Sequence, residues 1–222
     1  MPIRCQCGKA IVLETTSIML FPDTHCPACN AAIWLADDGL VRTGVLNKGW
    51  TELKSGNFTL AIILSATGIE CELGRVFMKW KNIEEMLLRP RPARRDQNSW
   101  TRAIRSCATM RKLDRVCHFL TCENFDSFIA HNSELAQSVT ERHPESITFG
   151  SRRAFFDQHL FWNADRIVNT GKTDFGSTET EECFKSALTL FQIISEMDFS
   201  KRTRIQESLK NPNIAVQTVA NF

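Results

Sequence analysis

Phe156-Asp157-Gln158-His159-Leu160-Phe161-Trp162-Asn163-Ala164-Asp165-Arg166-Ile167-Val168-Asn169-Thr170-Gly171-Lys172-Thr173-Asp174-Phe175 reads as a helix that runs out at a glycine and passes into a short polar turn. Glycine just past the last apolar residues is a common helix stop, because it accepts the left-handed closing conformation. A second helix follows over 178–198. Thr178 and Glu181 stand at the spacing of a capping box, and Phe184, Ala187, Leu188, Phe191 and Ile194 then share one face.

The same reading extends backwards along the chain. Ile62, Ala66, Ile69, Leu73, Val76 and Trp80 recur at alternating steps of four and three, a buried stripe on a helix over 57–81. Gly68 and Gly74 interrupt its propensity, or mark the close approach of another helix. Glu70 reads as a carboxylate at a helix boundary, with an inward-facing polar role as the alternative. Arg89-Pro90-Arg91-Pro92-Ala93-Arg94-Arg95-Asp96 is a linker, since two prolines so close forbid a continuing helix. Further helices are expected at 98–112, 112–121, 124–141 and 151–168. The fold class is therefore mainly α, a helical bundle over 45–200. A small β zinc ribbon over 1–44 precedes it and a C-terminal tail over 201–222 follows.

The ribbon rests on two chelating loops, Cys5-Gln6-Cys7-Gly8 and Cys26-Pro27-Ala28-Cys29-Asn30. Zinc takes four ligands in a tetrahedron, and two close cysteine pairs supply them. Cys5, Cys7, Cys26 and Cys29 are thus expected to hold one structural zinc ion, with His25 beside Cys26 as an alternative ligand. Ile11-Val12-Leu13 and Ala32-Ile33-Trp34-Leu35 read as flanking strands. The first pair is C-x-C rather than the commoner C-x-x-C. Four thiolates leave no open position for catalysis.

The segment quoted first resembles the end of a HEPN domain, a helical fold of many ribonucleases and defence proteins. Those domains often read R-N-x-I-V-H-x-G, then a turn and an amphipathic helix. Ile167, Val168 and Gly171 match, with the turn at 172–175 and the helix at 178–197 after them. Ala61-Ile62-Ile63-Leu64-Ser65-Ala66-Thr67-Gly68-Ile69-Glu70 resembles the family's first long helix. The resemblance covers about 45–200, and 84–150 share only helical character. It implies a homodimer paired through the 151–170 helix. Family members that cut RNA use an Arg on the scissile phosphate and a His for proton transfer. Ala164 stands in place of that Arg, Asp165 in place of the polar residue after it, and Asn169 in place of the His. The motif is degenerate, so the expected function is non-catalytic binding of a protein or RNA partner. The family's setting is bacterial defence or toxin–antitoxin biology.

Two alternatives stand beside this reading. Arg152 and His159 are two helical turns apart, the spacing of a metal-independent endoribonuclease pair, with Phe155 and Trp162 on the same face. The chain also suits a structural or assembly subunit whose ribbon makes contacts. Arg91, Arg94, Arg95 and Arg102 belong to a basic cluster able to hold phosphates, or to a solvated linker. Cys71, Cys107, Cys117, Cys122 and Cys183 read as core thiols rather than ligands, and Cys117-His118 with Cys122 makes a weak metal-like triplet.

Composition sets outer limits. The 222 residues carry a formal net charge of +2, which gives no global electrostatic case for nucleic acid or anionic membrane. The longest apolar run, near 58–69, is too short to span a bilayer. Nine cysteines with no export signal point to reduced thiols, metal ligands and a cytoplasmic location. No phosphate-binding loop, dinucleotide fingerprint or zinc-protease motif occurs.

Overall fold

The computed structural model describes residues 39–87 and 109–210 together with two short strands, and it is mainly helical. The strands are β1 (Pro2–Arg4) and β2 (Ala10–Val12), antiparallel with Ile3 opposite Ile11. The four ribbon cysteines, the second expected strand, Cys107 and the arginines at 89–105 lie outside the described residues.

Helix α1 (Gly39–Lys54) begins inside the segment expected to be ribbon, and α2 spans Phe58–Leu87. Gly56 turns the chain between them at φ +82°, a left-handed value that suits glycine. Asn57 then opens α2, its carbonyl accepting from Ala61 N–H at 3.0 Å. Gly68 is where the two helices meet: a Cβ there would lie 2.7 Å from Leu46 Cδ2. Of the two glycines flagged in this helix, Gly68 is the packing one, and Gly74 faces open space.

Helix α3 (Thr109–Thr121) runs unbroken through the boundary expected at 112. The single helix expected over 124–141 is two, α4 (Phe125–His131) and α5 (Ser133–Arg142). Asn132 divides them because its Oδ1 accepts from Leu135 N–H at 3.0 Å, capping α5. A 3-10 turn at Pro144–Ile147 leads to α6 (Arg152–Phe156), a π turn at Asp157–Phe161 and α7 (Trp162–Thr170). The last helix, α8 (Ser177–Lys210), starts one residue before Thr178 and extends past the expected tail boundary. Its Thr180 N–H donates to Gly176 O at 3.1 Å, and the Ser177 hydroxyl donates to Glu181. Gly176 therefore takes the cap place expected of Thr178.

The core lies where α2 and α8 pack, with α3 to α7 around them. The α2 stripe from Ile62 to Trp80 is buried throughout. On α8, Ala187, Leu190, Ile193, Ile194 and Met197 are fully buried. Charge is buried here with partners, as burial of an ion requires. Asp198 of α8 accepts from Lys79 Nζ at 2.9 Å and from Trp80 Nε1. Lys201 donates to Phe119 O at 3.2 Å and sits over the Phe119 ring.

The π turn changes which faces the 152–170 segment presents. Trp162 N–H reaches back five residues to Asp157 O. Phe155 and Leu160 are buried, and so are Phe156 and Phe161, so burial advances in steps of five rather than four. The His159 carbonyl accepts from Asn163 Nδ2 at 3.3 Å and from the Cys183 thiol at 2.9 Å. Phe155 and Trp162, expected on one face, part company: Phe155 is fully buried and Trp162 is 58% exposed.

Candidate functional site

Helix α7 lines two cavities with different faces. The first, of about 470 Å³, lies between α2, the start of α3 and the 152–168 segment. Ala164 and Asp165 line it. Glu70 lines it from α2, in mid-helix rather than at a boundary. Its carboxylate accepts from the Thr109 hydroxyl and lies 3.6 Å from Lys112 Nζ. Glu70 thus stands on the cavity wall with 42% of its side chain exposed, neither at a helix boundary nor turned into the core.

On the wall formed by the 152–168 segment, Asp157 and Asp165 are near enough for one charge to act on the other. Burial raises the pKa of Asp157, the Asp165 charge raises it further, and Arg153 opposes both. Arg153 is itself held, its guanidinium on Asp114 and its backbone N–H donating to Asp126 at 3.2 Å. Arg111 completes the charged lining, and no histidine is among the described residues that line this cavity.

The second cavity, of about 530 Å³, opens between the π turn, α7 and α8. His159, Trp162 and Arg166 line it, with Glu179 and Glu182 opposite. The His159 ring stacks on Phe155 at 4.2 Å and meets the edge of Phe149. Arg152 lines neither cavity, and its Nε is buried without a hydrogen-bond partner. Asn169 is exposed on the last turn of α7 and also lines neither. The structure thus brings Ala164 and Asp165 together with Glu70. It places His159 with Arg166 rather than with Arg152. Gly171 closes α7 in the left-handed conformation at φ +68°, as its place in the sequence suggests.

The cysteines divide by burial. Cys117 and Cys183 are core thiols, with burial pushing them up to about 12 and about 11. Cys71 and Cys122 are exposed, against the expectation of core thiols. Cys117 is buried while His118 on the next position is exposed, so the triplet with Cys122 does not converge.

One buried histidine escaped the sequence reading. His143 follows α5 and packs against Phe155 at 5.1 Å and Phe156 at 5.7 Å. Burial, aided by the Lys185 charge, pushes its pKa down to about 4. The local signal was His143-Pro144-Glu145, but its partners come from α8, far along the chain. Comparison with family models, curated proteins and solved structures returns no match to this chain.

Proposed function

We propose that this chain is a non-catalytic, HEPN-like helical module that binds a protein partner in the groove between α2 and α7. The observation that carries the reading is the lining of that groove. Ala164 stands where a phosphate-holding arginine would be needed, beside the carboxylates of Glu70, Asp157 and Asp165. Three carboxylates outweigh Arg111 and the Asp114-paired Arg153, which disfavours a phosphate backbone there, and no imidazole is among the described residues that line the groove to move a proton near neutral pH. Ile63, Phe161 and Val168 lie beside those charges, a mixture suited to a peptide segment with a basic side chain.

Pairing of two copies through the 151–170 segment belongs to the same reading. Trp162, which leaves 58% of its surface exposed on the face of α7 away from the partner groove, offers an apolar side chain for it. One structural zinc on Cys5, Cys7, Cys26 and Cys29 would brace the N-terminal part. Light scattering at tens of micromolar should return a dimer, and metal analysis should return zinc.

Incubation of the purified chain with single-stranded RNA tests the central claim. No cleavage is expected with chelator or with divalent metal, and His159→Ala should change nothing. Cleavage that His159→Ala abolishes would overturn the reading in favour of a ribonuclease. Binding of RNA without cleavage, weakened by salt and by loss of charge at Arg94 and Arg95, would replace the protein partner with RNA.

A further inference from the structure

We propose that His143, Glu145 and Glu182 form a binding site for one divalent transition-metal cation. Their ligand atoms all lie within 4.8 Å of one another. His143 is completely buried, yet its Nδ1 has no hydrogen-bond partner. That nitrogen lies 3.7 Å from Glu145 Oε1.

The protonation of the ring follows from its neighbours. The Thr189 hydroxyl donates to Lys185 O at 3.0 Å, so its lone pair faces His143 Nε2, also at 3.0 Å. Nε2 therefore carries the hydrogen and Nδ1 carries a bare lone pair. Glu182 has only the exposed Lys185 ammonium as a donor, whereas the bare Nδ1 lone pair lies beside the Glu145 carboxylate, buried and with no donor at all. Such a group forfeits its hydration without return. A cation placed among the three atoms satisfies all of them together, and the Nε2–H to Thr189 bond is the outer contact that orients a ligating imidazole.

The backbone holds the three residues from separate elements. His143 closes α5, Pro144 starts the 3-10 turn that carries Glu145, and Glu182 projects from α8. Ligands at about 2.1 Å from a tetrahedral ion lie roughly 3.4 Å apart. The spacing of His143 and Glu145 is close to that, and the exposed Glu145 side chain can close the remainder. Glu182 must give up Lys185 Nζ, now at 3.4 Å. Exposed pairs of this kind contribute little, so release is easy. One imidazole with two carboxylates suits zinc, manganese or ferrous iron better than copper(I) or calcium. Glu182 also lines the cavity that holds His159, so the ion would stand at that cavity's edge. The inference does not depend on the partner-binding reading.

Zinc is the probe, and the full chain is the sample. Wild type and a Glu145→Gln/Glu182→Gln variant are dialysed against the same micromolar zinc and analysed for metal. Any zinc on the N-terminal cysteines is common to both and cancels in the difference. Wild type should retain one zinc more per chain, and the variant should bind that ion at least about tenfold more weakly. Equal zinc content would overturn the proposal. Nitrogen-15 spectra of the histidine rings give the second measurement. Zinc should shift Nδ1 of His143 while Nε2 keeps its proton. An unmoved Nδ1 resonance would also overturn the proposal, because the carboxylates alone would then hold the ion.

Discussion

Helix α2 and the 152–170 segment are both rich in apolar residues, yet they meet the core by different rules. In α2, Ile62, Ala66, Ile69, Leu73, Val76 and Trp80 keep one buried stripe along a continuous helix. In the other segment the π turn at Asp157–Phe161 admits an extra residue, and the faces rotate beyond it. That rotation is why His159 opens toward α8 while Ala164 and Asp165 open toward α2. A regular helix repeats each face at the same period along its length, as α2 does toward α8. An interrupted one can serve two cavities on opposite neighbours, which is how both candidate sites come from a single stretch of chain.

Single-residue deletions should break this comparison most sharply. Removing the exposed Thr67 turns every later stripe residue of α2 by about 100° relative to Ile62 and Ala66. Circular dichroism should then show no cooperatively folded protein. Removing the exposed Gln158 brings Phe155 and Leu160, and Phe156 and Phe161, to a spacing of four. That is the spacing of an ordinary α-helix, so the fold should survive with a loss of roughly 1–2 kcal/mol. Equal damage from the two deletions would show that the π turn is required for folding.

The next effect comes from His143, which Phe155 and Phe156 of the interrupted segment help to bury. Its folded pKa, about 4, lies below the ordinary value of 6.5, so the unfolded chain binds the proton more readily. The contribution is fully present above about pH 6.5 and is lost as the pH falls toward 4. In metal-free protein this amounts to about 3 kcal/mol. Urea melts across that range check it, and His143→Gln should flatten the slope. A slope unchanged by the substitution would assign acid sensitivity to other groups.

The regular parts of the fold were legible because their signal is local and periodic. The stripe on α2 needs no distant information, whereas on α8 the expected face is buried at Phe184, Ala187, Phe191 and Ile194 but only half-buried at Leu188, and Leu190, Ile193 and Met197 are buried beside it. The break at Asn132 was harder, because the apolar period continues across it and a single side-chain cap decides the matter. The π turn was harder still. Its trace is a pair of five-residue steps, which a search for helical period absorbs as ordinary scatter. The sites divide similarly. Ala164, Asp165 and His159 can be named from the sequence alone, but which cavity each lines depends on the extra residue. Glu182 and Thr189 meet His143 from about 40 residues away, and no spacing rule links them.

Glycines give the smallest effects and the finest contrast. Gly171 ends the interrupted segment at φ +68°, where an alanine is strained. Gly171→Ala should destabilise by about 1 kcal/mol, read as a lower melting temperature. Within α2 the two glycines should respond with opposite signs. At Gly74 a Cβ meets nothing within 4 Å, and the backbone is ordinary helix. Alanine there removes the entropic penalty of glycine at no steric expense, so Gly74→Ala should stabilise by about 0.5–1 kcal/mol. At Gly68 the same propensity gain is opposed by contact. The new Cβ would stand 2.7 Å from Leu46 Cδ2 and 2.9 Å from its Cγ, and Leu46 is wholly buried. Leu46 would have to shift within a filled core, and overpacking of this kind costs about 1–3 kcal/mol. Gly68→Ala should therefore be neutral to destabilising while Gly74→Ala gains. If both variants gain equally in thermal melts, α1 is free to move away from α2, and the close contact at Gly68 does not hold the pair together.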